Sequence, residues 1–440
     1  MSTTIQPKLQ LRDYQENGIA LVDEAIQQGH KAICLVATTG AGKTLWASEY
    51  ISRAVARGQH AMILTNRRIL LSQAGAALER HGVHHGVYAA GFEFEPREDV
   101  QLGSIQTIAC RDSRPPCDLV LVDEAHSNTG NGARSIIDYY KQHGATIIGL
   151  TATPVGLAGI YDCLVEMVKG SELIKRGMLV PGRVYGPSEP DLRGVRITST
   201  GEYAHGQAAQ RVMECLVFGD VFDHWKRLND GRLSVVFAPG VQESKWFVEQ
   251  FEQRGVSSAH IDGSLSQAER DDIFSEMSNG KVQLVSSCGV LREGWDFPAV
   301  SHGLLVQACY GLSTFLQIVG RLKRAFPSKS SYILQDHAGA FWRHGNPDAD
   351  RNWVLGDSDL EIAKRRAEEC RAGAQQDIRC QQCGMVRQHG IACPGCGHRQ
   401  LQSIRLVRTV AGELVEMHGD AISTKRPKST WEMCHTTTCQ

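Results

Sequence analysis

The segment ATTGAGKT, residues 37–44, places the tightest constraint on how this chain folds. It follows the apolar, β-branched run AICLVAT (32–38) and leads into LWASEYISRAVARG (45–58), whose spacing is helical. A strand that turns through glycines directly into a helix gathers backbone N–H groups, and the partial positive charge of a helix start, around one point. That arrangement suits a phosphate. Gly40 and Gly42 let the backbone approach it, Thr39 and Ala41 complete the loop, Lys43 reaches the outer phosphates, and the Thr44 hydroxyl ligates Mg²⁺. The full pattern begins with glycine where this chain has Ala37, and for this segment alone an ordinary Gly-rich turn is the alternative.

Similar apolar runs recur: AMILT (61–65), DLVLVD (118–123) and TIIGLTA (146–152), then a second series of LSVVFAP (233–239), VQLVSS (282–287), HGLLVQ (302–307) and SYILQD (331–336). Alternation of such runs with longer mixed segments is the pattern of parallel sheets with crossover helices. Two tandem α/β units are expected, and 440 residues exceed what a single core holds. The boundaries read as 1–155 and 216–345 for the two units, with 156–215 between them. Within 156–230 the first part reads as helix, the middle as exposed linker, and Ala208 to Leu228 as a helix entering the second unit. Residues 346–379 form a linker with a charged helix over 358–379, 380–398 a cysteine cluster, and 399–440 a short polar tail. With 47 Lys and Arg against 48 Asp and Glu, net charge gives no global reason for nucleic-acid binding, so any basic surface must be local. No apolar run approaches membrane-spanning length and the first residues lack a signal peptide's apolar segment, so a soluble, cytoplasmic protein is expected.

At 119–126 the chain reads LVLVDEAH, an apolar strand ending in two carboxylates. Asp123 can hold Mg²⁺ through its water shell, while Glu124 points elsewhere and can orient and deprotonate an attacking water. A bare Asp-Glu pair is usually a solvated strand end. About eighty residues beyond a phosphate loop, it reads as catalytic.

ATTGAGKT, VDEAH, LTATP (150–154) and QIVGRLKR (317–324), in that order, resemble the core motifs of superfamily 2 helicases of the DEAH/DExH type, over roughly residues 10–340. The resemblance implies two RecA-like domains with ATP and Mg²⁺ in the cleft between them. It implies that Arg321 and Arg324 reach the phosphates from the second domain, with Gln317 one turn back on the same face. LRDYQ (11–15) is similar to the adenine-reading segment, with Gln15 on the adenine edge and Arg12 nearby; Gly294 and Asp296 match the family's segment linking nucleotide to nucleic acid. Thr151 and Thr153 become coupling residues. Asn66, Arg67, Gln106 and Thr107, and in the second unit Pro239 to Gln242 with Asp262 and Gly263, become nucleic-acid contacts made mostly to phosphates. One departure is Cys288, where many members carry Thr.

CQQCGMVRQHGIACPGCG (380–397) holds two Cys-x-x-Cys-Gly turns, and the chain's other ten cysteines are scattered singly. Four thiolates, Cys380, Cys383, Cys393 and Cys396, in such turns point to a structural Zn²⁺ in a small zinc-ribbon-like module. Cys370, Cys434 and Cys439 lie outside the pattern. Residues 361–440 carry 12 Lys and Arg against 8 Asp and Glu, a mildly basic end suited to gripping nucleic acid. The whole layout is similar to the RadD-like bacterial DNA-repair helicases and the compact helicases of bacteriophages. It implies an ATP-dependent helicase or translocase acting on DNA rather than RNA, in repair, recombination or replication, with single-stranded-DNA-binding or repair proteins as further partners and no membrane. The alternatives are an ATP-switched nucleic-acid binding or annealing protein, or the motor subunit of a restriction or defence complex.

Overall fold

The computed structural model describes residues 10–66, 68–95, 97–111, 113–186, 195–198, 202–215, 218–290 and 297–359, and beyond these 361–362, 365, 378–380, 382–387 and 392–399. The first sheet contains β1 (Ala32–Ala37), β2 (Ala61–Thr65), β3 (Gly86–Tyr88), β4 (Val100–Ser104), β5 (Leu119–Val122), β6 (Thr146–Thr151) and β7 (Cys163–Val168). Its order is β3-β4-β2-β5-β6-β1-β7, with every pairing parallel. β1 shows why its sequence is apolar throughout. Ile33, Leu35 and Ala37 enter one core, beneath α1 (Asp13–Gln27), α2 (Lys43–Ala56) and α3 (Arg68–Arg80), while Ala32, Cys34 and Val36 enter another beneath α5 (Asn131–Gln142). Alternate side chains leave opposite faces, so a strand covered on both sides has no polar position to spare.

The second sheet contains β8 (Gly182–Tyr185), β9 (Ser234–Phe237), β10 (Ser258–Ile261), β11 (Leu284–Ser287), β12 (His302–Leu305), β13 (Tyr332–Asp336), β14 (Ile378–Arg379) and β15 (Met385–Arg387). Its order is β10-β11-β9-β12-β13-β8-β15-β14, parallel as far as β8 and antiparallel for the last two strands. Around it pack α9 (Val241–Glu252), α10 (Gln267–Ser278), α11 (Leu312–Leu322) and α12 (Ala340–His344). Helix α10 opens on a reciprocal cap: Glu269 N–H donates to Ser266 Oγ at 3.3 Å and Ser266 N–H to Glu269 Oε2 at 2.7 Å.

The two parallel-sheet units are those expected of tandem RecA-like domains. The stretch between them departs from its reading. Its first part is two strands around one short helix, with β7 joining the first sheet, α6 (Gly170–Lys175) following it and β8 joining the second sheet. Residues 163–166 are only half-buried, so their mixed composition fits a sheet edge. Ala208 to Leu228 falls in two helices, α7 (His205–Cys215) and α8 (Phe218–Asn229). Of the charged stretch after 357, the described part is capped by Ser358, which donates from N and Oγ to Glu361 Oε2, both at 2.7 Å. Among the described residues, no helix is long and apolar enough to cross a membrane.

The second core encloses a polar chain. Trp225 Nε1 donates to Ser234 Oγ at 2.9 Å, and Ser234 Oγ to Asn229 Oδ1 at 2.9 Å. His302 then links Asn229 Oδ1 (3.0 Å) to Gln335 Nε2 (3.1 Å), and Gln335 Oε1 meets His337 Nε2 at 3.1 Å. Burial pushes both imidazoles down to about 3, helped at His302 by Arg232 and at His337 by His224. Both rings are therefore neutral at physiological pH, each nitrogen serving as one donor or one acceptor.

Candidate active site

The phosphate loop lies where β1 hands over to α2. Gly40 (φ 91°) and Gly42 (φ 82°) adopt left-handed backbone, and Ala41 N–H closes the turn on Thr38 O at 2.9 Å. At Gly42 a Cβ would sit 2.5 Å from Gln15 Nε2, so glycine there also admits a neighbour. Buried Gln15 donates from Nε2 to Ala41 O (3.1 Å) and Gly42 O (3.4 Å), and its Oε1 accepts Arg12 N–H at 2.9 Å. Tyr14 adds a hydroxyl bond to Ala41 O at 3.2 Å and receives Arg12 Nη1 at 3.1 Å. The start of α1 thus holds the loop from outside. Lys43 Nζ donates to Ala37 O at 3.3 Å, and Thr44 is exposed one residue further along α2.

β5 ends in the buried run Leu119–Val122, after which the chain turns sharply. Glu124 takes φ 45°, a left-handed conformation that costs a non-glycine residue roughly 1–2 kcal/mol. The turn is pinned by Asn128 Nδ2, which donates to Asp123 O (2.7 Å) and Glu124 O (3.3 Å), and by Glu124 N–H on Asp123 Oδ1 (3.0 Å). Buried Glu124 Oε2 has no hydrogen-bond partner among the described residues; His126 Nδ1 lies 3.5 Å from it. A buried acceptor left unmatched costs about 1–3 kcal/mol, so this oxygen is available to a donor that enters the site.

His126, the last letter of VDEAH, joins the motifs. Burial lowers its pKa, Glu124 partly restores it and Lys43 lowers it further. The neutral ring accepts Gln317 Nε2 at its Nε2 (2.9 Å), which leaves the proton on Nδ1 to donate to Thr151 Oγ1 at 2.8 Å. Thr151 Oγ1 then donates to Thr153 O (3.1 Å) and accepts Thr153 N–H (3.0 Å), and Thr153 Oγ1 meets Ser313 Oγ at 2.6 Å. Two bonds, His126–Gln317 and Thr153–Ser313, therefore cross between the sheets beside Glu124. The sequence reading gave His126 no role although its letter stood inside the motif. Ser313 carried no signal beyond lying four residues before Gln317, on the same helical face.

Helix α11 lies directly on the loop, for a Cβ on Gly320 would come within 2.7 Å of Thr39 Cβ. Arg321 follows on that helix and Arg324 lies just past its end, where its backbone bridges Leu179. Gly294, Asp296 and Arg67 lie outside the described residues, as do Cys370, Cys434 and Cys439. Gln106 Nε2 donates to Asn66 O at 3.1 Å, and Thr107 Oγ1 accepts Ala90 N–H at 3.0 Å. Pro239 to Gln242 follow β9, and Asp262 with Gly263 follows β10; the Ser264 hydroxyl, His260 and Ser264 N–H hold the Asp262 carboxyl far below its usual range. Each of these loops follows the carboxyl end of a parallel strand, where open α/β sheets bind ligands.

The four cysteines come together as their spacing predicts. Cys380 Sγ lies 3.6 Å from Cys396 Sγ, Cys383 Sγ lies 3.5 Å from Cys393 Sγ, and all four sulfurs fall within 4.8 Å of one another. Tetrahedral thiolates around Zn²⁺ are about 3.8 Å apart, given bonds of about 2.3 Å. The residues fit that ion. Gly384 (φ 74°) and Gly397 (φ 72°) supply the left-handed turns. Burial raises the Cys380 thiol, and the N–H groups of Cys383 and Gln382 overcome it, pulling it to about 7. The module is joined to the second sheet rather than free of it: β15 pairs with β8, and Cys380, Cys383 and Cys393 share a small core with Tyr185, Ile333 and Met385.

Two family models match, "Type III restriction enzyme, res subunit" over residues 8–156 and "Helicase conserved C-terminal domain" over 212–326. The chain is 26% identical over 321 residues to a 51.5 kDa protein of a Lactococcus phage, covering 71% of this chain and 67% of that one. It is 27% identical over 361 residues to the putative ATP-dependent helicase IRC3 of Saccharomyces cerevisiae, covering 75% of this chain and 52% of that one. Its fold is similar to that of the ATP-dependent Type ISP restriction-modification enzyme LlaBIII bound to DNA, with TM-score 0.59 and 17% identity over 74% of this chain and 28% of the enzyme. It thus spans about half of the yeast protein and just over a quarter of the restriction enzyme. Matched models over both sheets, the phosphate loop under α11 and the His126–Gln317 bond between the sheets agree: the chain belongs to the superfamily 2 helicases, which are ATP-hydrolysing enzymes.

Proposed function

We propose that this protein is an ATP-dependent translocase or helicase that works on DNA. The observation carrying this reading is the polar chain that runs from the Glu124 turn through His126 into Gln317 of the second sheet. A nucleotide at the loop would be met by Lys43 and the N–H groups of 39–44. Mg²⁺, held by Thr44 and Asp123, would neutralise phosphate charge. Glu124 Oε2, unmatched in the protein, would accept a proton from the attacking water, and the cations of α11 would meet the transferred charge. Phosphate release would remove a reason for closure, and the two inter-sheet bonds would open with it. Gln15, Arg12 and the start of α1 would monitor the loop and the adenine, while Gly294 and Asp296 would line the cleft from the second domain. The coupling of each opening to a step along a strand would pass through Thr151 and Thr153, with Asn66, Arg67, Gln106 and Thr107 on the backbone. Cys380, Cys383, Cys393 and Cys396 would hold a structural Zn²⁺ at the end of the second sheet.

DNA is favoured over RNA because the likeness to LlaBIII is to an enzyme bound to DNA. A role at repair or replication intermediates rests on the RadD-like and phage-like layout, and on the phage relative. The same restriction likenesses, the res-subunit model included, support a second reading as the motor of a restriction or defence assembly. Hydrolysis rates on single-stranded, duplex and forked DNA and on RNA separate these. Stimulation by duplex without strand separation favours the restriction motor, stimulation by forks with separation favours the helicase, and a rate insensitive to every nucleic acid refutes both.

A further inference from the structure

The segment that follows β13 and α12 returns to the first unit. Asp350 accepts Ser171 N–H (3.0 Å) and Ser171 Oγ (2.6 Å), at α6 (Gly170–Lys175), whose Leu173 belongs to the first core. Asp348, two residues earlier, holds the second unit, accepting Gly182 N–H (2.7 Å) and the Tyr332 hydroxyl (2.8 Å) and pairing with Lys323 Nζ (3.0 Å). Trp353 packs against cores of both units. Further on, Asp357 O accepts Gly156 N–H at 3.0 Å, two residues past LTATP, and Asp359 Oδ1 accepts Leu312 N–H at 3.0 Å, the first residue of α11. Two residues of chain, at most about 7 Å when extended, thus tie the end of one motif to the head of the helix carrying another. The head of α11 is also held by Glu202, whose carboxylate accepts Tyr310 N–H (2.9 Å) and Gly311 N–H (3.3 Å).

We propose that Asp359 is a positioning residue for ATP hydrolysis: with Asp357 and Asp350 it makes residues 346–359 a clamp that sets α11 at the height where Gln317 meets His126 and Ser313 meets Thr153. The hydrogen bonds of Asp350, Asp357 and Asp359 named above go to α6, to Gly156 and to the head of α11, so the effect passes through the helix. The helix start is the right place to act. Its N–H groups lack partners within the helix, and an ionised acceptor there both satisfies one and meets the helix dipole. Arg365 pairs with the Asp357 carboxylate, so the clamp is also tied to the segment leading toward the cysteine module. Thr153–Ser313 lies one residue from Leu312, so a rise in mobility there reaches that bond first.

The inference rests on the hydrolytic reading above, and two readouts keep the failures apart. Hydrogen exchange on the whole protein, with no nucleotide or nucleic acid, tests the clamp alone. Asp359→Ala should speed exchange of the Leu312 and Gly156 amides by at least about tenfold, the loss of one charge-assisted bond, while amides of β5 and β12 stay protected. In DNA-stimulated hydrolysis, Asp359→Ala should lower kcat about tenfold with KM for ATP within about twofold, and Asp359→Asn, which keeps an acceptor oxygen, should recover most of the rate. Asp350→Asn, at the far anchor, should show the same split more weakly. Unchanged exchange at Leu312 in Asp359→Ala, or a raised KM with kcat intact, overturns the clamp. An inactive wild type with the exchange result as expected overturns the hydrolytic reading and leaves the clamp standing.

Discussion

Removing one side of the His126–Gln317 bond should cost far more than an average hydrogen bond, and removing both should cost little extra. Gln317→Ala leaves His126 Nε2 buried without a donor, and His126→Ala leaves both Gln317 Nε2 and Thr151 Oγ1 short of a partner. Adding about 1 kcal/mol for the bond to 1–2 kcal/mol for a stranded buried group gives about 2–3 kcal/mol, or roughly 30- to 150-fold in rate if the bond is needed in the transition state. The two substitutions act on one bond, so their effects should not add; the double-mutant cycle should give a coupling of about 2–3 kcal/mol. The assay is steady-state ATP hydrolysis at saturating single-stranded DNA for wild type, both single variants and the double variant. KM for ATP should move little, since neither residue lies on the loop. Additive losses with a coupling below about 0.3 kcal/mol would mean that the bond does not transmit closure, and the argument from it would fail.

Other outcomes follow from the same geometry. Gly320→Ala, whose new methyl would press on Thr39, should depress nucleotide binding and hydrolysis while leaving the melting temperature within a few degrees, as isothermal binding and calorimetry would register. Zinc analysis should find one ion per chain in wild type and none in Cys380→Ser/Cys383→Ser, with exchange at β15 and β8 rising in the variant; equal metal content in both refutes the site. The buried pair His302 and His337 makes stability depend on pH. Their folded pKa values of about 3 lie below the unfolded value of 6.5, so stability is complete above pH 6.5 and falls as pH drops toward 3. Below pH 6 the slope should approach about 1.4 kcal/mol per pH unit for each ring, and His302→Gln should flatten it in denaturant titrations at pH 7 and 5.

The eight apolar runs read from the sequence coincide with β1, β2, β5, β6, β9, β11, β12 and β13, because strands covered on both faces are mostly apolar, and the polar residues they hold, such as His302 and Gln335, are bonded within the core. The strands it did not locate have a different chemistry. β7 is an edge strand with Glu166 in its pairing register, β4 carries Gln101 within its run, and β10 is half-buried Ser-Ala-His. Such strands lack the continuous signal and look like loops or helices. The phosphate loop and the Asp-Glu turn were legible since each needs particular letters at fixed spacing. Glu124's left-handed backbone, the proton assignment on His126 and the bond to Ser313 were not, because they depend on how two distant stretches meet. The clamp at Asp350 and Asp359 was invisible for the same reason, its letters being ordinary acidic loop residues until Ser171 and Leu312 stand opposite them.

The proposed mechanism has Glu124 activate water for a hydrolysis that nucleic acid stimulates. Its most direct test compares phosphate release by wild type and Glu124→Gln with and without single-stranded DNA, alongside ATP binding by each. Wild type should show DNA-stimulated turnover and Glu124→Gln a loss of at least about a hundredfold, as general-base catalysis supplies roughly 10²–10⁴-fold, with ATP still bound. Equal turnover in the two proteins, or a wild-type rate that DNA leaves unchanged, would contradict it.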